Sequence, residues 1–310
     1  MRLLLVVNTS ASSVTARGRV VIQKALSADH DVHVAETSRR GHATRLALGA
    51  AADGVDVVVA LGGDGTFNEA ANGLAGTETA LAVLPGGSTN VFARTIGLTN
   101  DPIEATGQLL AALARPSSIR RIGLASLNGR YFLFNAGVGF DAAVIAQVEK
   151  RSGLKRWAGH PLFVYAGFET WFRHYDRSRP RLVVEFPDGR SVTDGYFALV
   201  LNTDPYTFLG SRPLHIAPEA TLDRGLAVAT FRTLAFIPFI RIIGSALGVG
   251  RPVRAHRRLD LRTDLGSFRV KVTGAGGPLP YQVDGDHLGE LTEAEFRHEP
   301  DVLRLVMPGA

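Results

Sequence analysis

The chain has no cysteine, which excludes disulfides, thiolate metal sites and a cysteine nucleophile. It has only four lysines, at 24, 150, 155 and 271, so arginine carries nearly all of the positive charge. No apolar run reaches the ~20 residues that a spanning helix needs. The most hydrophobic stretch, LAFIPFIRIIGSALGVG, is broken by Pro238 and Arg241. The opening MRLLLVVN reads as a buried strand, too short for a signal-peptide core. A strong excess of one charge is also missing. Lys+Arg 34 against Asp+Glu 29 leaves +5 on 310 residues, compatible with anionic lipid or nucleotide partners and too mild to argue for nucleic acid. No internal repeat or low-complexity tract stands out, and the expectation is a soluble cytoplasmic protein. What is present is ample core material, 45% apolar and 20% charged residues. The length exceeds the ~100–200 residues of a typical domain and favours two.

The first third alternates strand and helix signals. RLLLVVN, HDVHVAET, VDVVVALGG and TALAVLPGG read as strands; RGRVVIQKAL, ATRLALGAAADG and TFNEAANGL between them read as helices. Glycine-bounded strands separated by helices of this length imply βαβ crossovers and a parallel sheet. Near residue 120 the rhythm changes. RYFLFNAG, PRLVVEFP, YFALVLN, LAVATF, FRVKV, YQVDG and VLRLVMP are strand-like, several alternating as half-exposed antiparallel strands do. Helix-like segments interrupt them at DAAVIAQVEK, Trp157–Tyr175 and Leu234–Gly248. The expected fold is an α/β N-terminal domain with a parallel sheet over 1–123, then a β-rich, sandwich-like domain with inserted helices over 124–297. A C-terminal strand at 298–310 can return to the first domain.

The most informative segment is VVVALGGDGTFNEAANGL, residues 57–74. An apolar strand ends at Gly62-Gly63 and a helix begins around Thr66 or Phe67. Glycines at such a turn let backbone N–H groups approach a ligand, and the helix dipole favours phosphate there. Asp64 places a carboxylate inside that cradle, which makes sense if a divalent cation bridges the two anions or orders water between them. Thr66 caps the helix or offers its hydroxyl to a phosphate. The same residues also make an ordinary turn and cap. A second turn of the same design follows in LAVLPGGSTNVFA, with Pro85-Gly86-Gly87 and Ser88-Thr89-Asn90. Two such turns at the carboxyl ends of successive parallel strands share the edge where open α/β sheets bind ligands.

No Gly-Lys-Ser/Thr of a P-loop occurs, nor the signatures of a protein kinase. Gly137-Val138-Gly139 followed by Ala142 resembles a dinucleotide fingerprint, but between Glu149 and Glu169 there is no Asp or Glu to serve as its ribose ligand. The histidines show no metal-ligand spacing.

With these motifs the chain resembles the diacylglycerol kinase catalytic-domain family, the soluble bacterial lipid kinases that are also similar to sphingosine kinases. The resemblance covers nearly the whole chain. It rests on Gly62-Gly63-Asp64-Gly65-Thr66 with Asn68 and Glu69, on Pro85 to Asn90, on Asn135-Ala136-Gly137-Val138-Gly139-Phe140-Asp141-Ala142, and on Val283-Asp284-Gly285-Asp286. It implies an ATP-dependent kinase acting on a lipid hydroxyl, most simply diacylglycerol giving phosphatidic acid. The family's nucleotide-contacting positions match Asn8, Thr37, Gly62, Gly63, Asp64, Gly65, Thr66, Phe67, Asn68 and Ser88. Its catalytic acid aligns with Asp286, which as a general base would take the proton of the acceptor. Asp64 would hold Mg²⁺ directly or through water, and the site would lie in an interdomain cleft.

The chain departs from the family at several positions. Asn8-Thr9-Ser10-Ala11 stands for the usual Asn-Pro-x-Ser-Gly, Ser88 for threonine, Asp286 for glutamate, and Val91 and Gly123 for acidic residues. Arg224 replaces a ligand in the structural magnesium loop, where a guanidinium can substitute for the divalent charge. A membrane substrate implies peripheral contact with an anionic inner membrane face, through Leu154–Tyr175 or Phe236–Val249 with Arg251, Arg254, Arg257 and Arg258 beside them. Aromatic residues packed into a core are the plainer reading of both. A homodimer is compatible with the pattern. The alternatives are an NAD kinase-like enzyme, which shares the Gly-Gly-Asp-Gly turn, and a nucleotide-binding lipid regulator without catalysis.

Overall fold

A computed structural model describes residues 1–151, 165–274 and 276–308. The chain divides into two compact units: Met1–Leu124 with Pro300–Ala310, and Ala125–Glu299.

In unit 1, strands β1 (Arg2–Val7), β2 (Asp31–Glu36), β3 (Val57–Gly62) and β4 (Ala80–Pro85) alternate with helices α1 (Ala16–Leu26), α2 (His42–Ala52) and α3 (Asp64–Leu74). The strands lie parallel in the order β2-β1-β3-β4. All residues of β3 and β4 are buried, as expected of central strands covered by helices on both faces. Two more helices follow, α4 (Val91–Thr95) and α5 (Pro102–Leu113). The sequence pattern above leaves α5 unassigned, yet its start is well marked: the Asp101 side chain accepts from the N–H groups of Ile103 and Glu104, with Pro102 at the first helical position. The expected helix start at Thr66 or Phe67 moves back to Asp64, because Gly63 is itself the cap.

Strand β5 (Ile119–Leu127) carries the chain out of unit 1, so the boundary expected between 123 and 124 falls inside a strand. In unit 2 the expected strand RYFLFNAG splits into β6 (Arg130–Phe132), paired with β5, and β7 (Asn135–Val138), in a different sheet. The break falls where Leu133 and Phe134 give their N–H groups to the carboxylate of Asp284. After α6 (Phe140–Lys150) come β8 (Leu182–Glu185), β9 (Ser191–Gly195), β10 (Phe197–Leu201), β11 (Thr207–Leu209), β12 (Arg212–Leu214), β13 (Leu226–Phe231), α7 (Phe236–Ala246), β14 (Leu259–Leu265), β15 (Ser267–Val272), β16 (Leu279–Val283), β17 (Asp286–Leu291) and β18 (Glu293–Val306). An antiparallel sheet of order β14-β13-β10-β7-β16-β17 packs one face against β8, β15 and the first half of β18. The shared core includes Val138, Val200, Val228 and Val283 from one sheet, and Val184, Phe268, Val270 and Phe296 from the other. The opposite face of the six-stranded sheet holds a second core with Phe140 of α6 and Ile242 and Ala246 of α7. Unit 1 is thus an α/β domain with a parallel sheet, and unit 2 a β-rich sandwich with added helices. No described helix is long and apolar enough to cross a membrane.

Candidate functional site

The nucleotide-binding positions expected from the sequence gather at one edge of unit 1. Register pairs Val7 with Glu36 and with Leu61, and Gly62 with Pro85. Asn8, Thr37, the Gly62-Gly63 turn and Gly86 to Ser88 therefore stand side by side past the carboxyl ends of β1 to β4. Strand order reverses between β1 and β3, the switch point where such sheets open a crevice. Asn8 and Thr66 meet there: Asn8 Nδ2 donates to Thr66 Oγ1 at 3.0 Å. Thr37 directly follows β2, its N–H donating to the Val7 carbonyl at 2.9 Å. Ser88 is exposed, whereas Phe67 and Asn68 are buried. Phe67 belongs to the core, so only its backbone is available to a ligand.

The two glycine turns pack backbone on backbone. Gly86 N–H donates to the Gly62 carbonyl at 2.6 Å. A Cβ on Gly87 would lie 2.9 Å from Gly63 Cα, and one on Gly62 2.6 Å from Thr66 Oγ1. No Cβ approaches another heavy atom so closely, so Gly87 is held to glycine by the other turn and Gly62 by the Thr66 side chain of the helix that follows it. Asn90, buried and left-handed at φ 49°, closes the second turn. Its Oδ1 accepts from Gly87 N–H at 2.8 Å, and its Nδ2 donates to the Gly87 carbonyl and to Asn100 Oδ1 at 2.9 and 2.7 Å.

Two acidic residues of α3 cap other helices. Asp64 Oδ2 accepts from Val91 N–H at 2.9 Å and Oδ1 from Phe92 N–H at 3.0 Å, so its carboxylate sits on the start of α4. Glu69 does the same for α2, accepting from Gly41 N–H at 2.7 Å and Ala43 N–H at 3.0 Å. Asp64 also faces Arg94, whose pKa is lowered by burial while the carboxylate opposes that shift. Both Asp64 oxygens already serve backbone donors. Among the described residues, no group of three His, Cys, Asp or Glu side chains could hold a metal. A single carboxylate at the start of α3 does fit Mg²⁺ in its usual kinase form, bound by one or two carboxylates and largely by nucleotide phosphates and water.

Asp286 opens β17 in unit 2. Asp284 and Gly285 form the two-residue turn before it, left-handed at φ 48° and 80°, with Val283 paired to Asp286. This is the hairpin that Asp-Gly favours. Asp284, 4% exposed, accepts from the N–H groups of Leu133, Phe134 and Asn135 at 2.8, 3.0 and 3.2 Å. Its role is structural, and spacing alone does not reveal it, since its partners lie about 150 residues away.

Unit 2 also exposes an apolar face on α7. Phe236, Ile237 and Ile240 point to solvent while Ile242 and Ala246 are buried. Trp171 extends that face, its ring 5.5 Å from Phe236 and 4.6 Å from the exposed Phe172. Arg241, Arg251, Arg257 and Arg258 are exposed in the same stretch, and Arg254 pairs with Glu219 at 2.6 Å. Of the other membrane-contact segment expected above, Trp157 and Phe163 lie outside the described residues.

The family model for the diacylglycerol kinase catalytic domain matches residues 2–122. Among curated relatives, "Diacylglycerol kinase" of Bacillus subtilis is 30% identical over 292 residues, covering 93% of this chain and 89% of that protein. "Probable lipid kinase YegS-like" of Pseudomonas aeruginosa is 30% identical over 312 residues, covering 99% of this chain and 94% of that protein. In fold the chain is similar to a diacylglycerol kinase of Bacillus anthracis, with TM-score 0.71, 20% identity and coverage of 99% and 96%. It is more distantly similar to yeast NADH kinase, with TM-score 0.52, 11% identity and coverage of 99% and 83%.

Proposed function

The chain belongs to the family of diacylglycerol kinases and YegS-like lipid kinases, and from that premise we propose that it transfers the γ-phosphate of ATP to a lipid hydroxyl, with diacylglycerol as acceptor and phosphatidic acid as product. The observation that carries the nucleotide half is the pair of glycine turns packed on each other at the switch point of unit 1. The N–H groups of the first turn and the amino end of α3 offer an anion-binding edge, while the second turn, its Gly86 and Gly87 N–H groups bonded to the Gly62 carbonyl and to Asn90, holds the first in place. Thr66 and Ser88 add hydroxyl donors, and Asn8 orients Thr66.

Phosphoryl transfer depends mainly on positioning and charge neutralisation. Mg²⁺ brought by the nucleotide would neutralise developing phosphate charge, with Asp64 as the residue that would hold it, directly or through water. Asp286 takes the proton from the acceptor hydroxyl as its oxygen bonds to the γ-phosphorus and the bond to ADP breaks. The exposed face of α7 and its neighbouring arginines give the enzyme peripheral contact with an anionic bilayer that holds the acceptor.

Labelled ATP offered with diacylglycerol, a sphingoid base, phosphatidylglycerol and NAD as separate acceptors tests the reading. Label should enter phosphatidic acid, and Asp286→Asn should lower that turnover by about 10²–10⁴-fold, the span of general-base catalysis. Labelling of NAD alone, or a near-wild-type rate in Asp286→Asn, would refute the substrate or the base respectively.

A further inference from the structure

Every backbone neighbour of Asp286 is tied to a side chain elsewhere in unit 2. On one side stands Gln282, fully buried. Its Oε1 accepts from Gly285 N–H at 2.9 Å, and its Nε2 donates to Asn135 Oδ1 and to Asp141 Oδ2, both at 2.9 Å. The other oxygen of Asp141 accepts the Tyr206 hydroxyl, and Asn135 Nδ2 donates to the Tyr206 carbonyl at 2.9 Å. On the other side, His287 N–H donates to Glu149 Oε1 of α6 at 3.0 Å. The network joins two motifs that are 140 residues apart in sequence, Asn135 to Ala142 and Val283 to Asp286.

We infer that Gln282 and Glu149 are positioning residues for the carboxylate of Asp286. The inference rests on the reading of Asp286 as the base. A carboxamide at 282 is chemically required: it must accept one hydrogen bond and donate two, which neither Glu nor an apolar residue does. Glutamate there would also set a second carboxylate against Asp141. Losing the anchor at Gly285 or at His287 lets the start of β17 shift. A displacement of about 1 Å at a reacting group costs on the order of 10²-fold in rate.

The test is a kinetic double-mutant cycle of Gln282→Met and Glu149→Ala, each with Asp286→Asn. Each single positioning variant should lower kcat about 10- to 100-fold while the KM for ATP stays within about twofold, because the nucleotide residues are in unit 1. Added to Asp286→Asn, neither should slow the enzyme further, since a group that acts through the base has nothing left to act on. Glu149→Gln keeps an acceptor oxygen and should restore most of the rate. Glu149 lines an open cavity of about 480 Å³ with Ala143, Ala146, Pro280 and His287. Water can therefore replace its side chain, and this arm holds if Gln282→Met fails to fold. Wild-type kcat in Glu149→Ala, or full additivity of its double variant with a slow Asp286→Asn, overturns the positioning role alone. A wild-type rate in Asp286→Asn overturns the base, and the positioning role with it.

Discussion

At the scale of single residues, the four turn glycines of unit 1 answer to different demands. Gly87 faces backbone: its added Cβ would stand 2.9 Å from Gly63 Cα, where no side chain can swing aside. Gly63 has room, since its own Cβ would meet Gly87 Cα at 3.5 Å, an ordinary contact. Gly63→Ala should therefore leave the melting temperature near wild type and raise the KM for ATP, by blocking the approach of a phosphate to backbone. Gly87→Ala should cost about 1–3 kcal/mol of stability, the usual penalty of overpacking. Equal melting temperatures for the two variants would show that the turns are not in steric contact. These glycines are legible in the sequence because each pair marks a strand end followed by a helix start, although what holds Gly87 to glycine is its contact with the other turn. The partners of Asp64 are not. Its carboxylate reads as a metal ligand or a cap for its own helix, whereas its donors are Val91 and Phe92 on another helix. Nothing in the spacing of Asp64 encodes that contact, and the same holds for Glu69 and the start of α2.

Among the elements, α7 is set apart by which face it hides. A helix that packs on a sheet ordinarily turns its large apolar residues inward. Here Phe236, Ile237 and Ile240 are 46%, 62% and 42% exposed, and Phe172 continues the patch. Contiguous exposed apolar surface of this kind marks an interaction site. The arginines beside it suit an anionic lipid surface. The triple variant Phe236→Ser, Ile237→Ser, Ile240→Ser should bind phosphatidylglycerol-containing vesicles at least about a hundredfold more weakly in flotation, since burying each large apolar side chain contributes about 1.5–3 kcal/mol. Its ATP binding should be unchanged. Equal flotation of variant and wild type would rule out this face. The periodicity of residues 234–248 announces a helix, but the breaks at Pro238 and Arg241 disguise how apolar its outer face is. Pro238 falls in the first helical turn, where its missing N–H costs nothing. Elsewhere the pattern misleads where one apolar run serves two sheets: β6 and β7 read as a single strand until Asp284 binds the residues between them.

Over the whole molecule, the weak excess of positive charge explains little, while the path of the chain explains a good deal. The βαβ rhythm of the first 100 residues makes the parallel sheet of unit 1 legible, because each crossover is local. Its outer strand beyond β4 is not local: it arrives from the far end of the chain, with Leu305 in register with Leu81. Leu303, Leu305 and Val306 are buried. Gly76 N–H donates to the Val302 carbonyl at 2.7 Å, and Met307 N–H to the Ser118 carbonyl at 2.8 Å. Without that strand β4, whose every residue is buried, would become a bare apolar edge. The proposed nucleotide site would stand on the carboxyl ends of β3 and β4, so residues 300–308 would support it through β4. Leu305→Ala should cost about 2–5 kcal/mol in urea unfolding, as core truncations do. ATP with Mg²⁺ at 100 times its dissociation constant should then return about 2.7 kcal/mol, because it binds only the folded unit. A full loss that ATP leaves untouched would separate the last strand from the nucleotide site. No loss at all would mean that β4 does not depend on its neighbour.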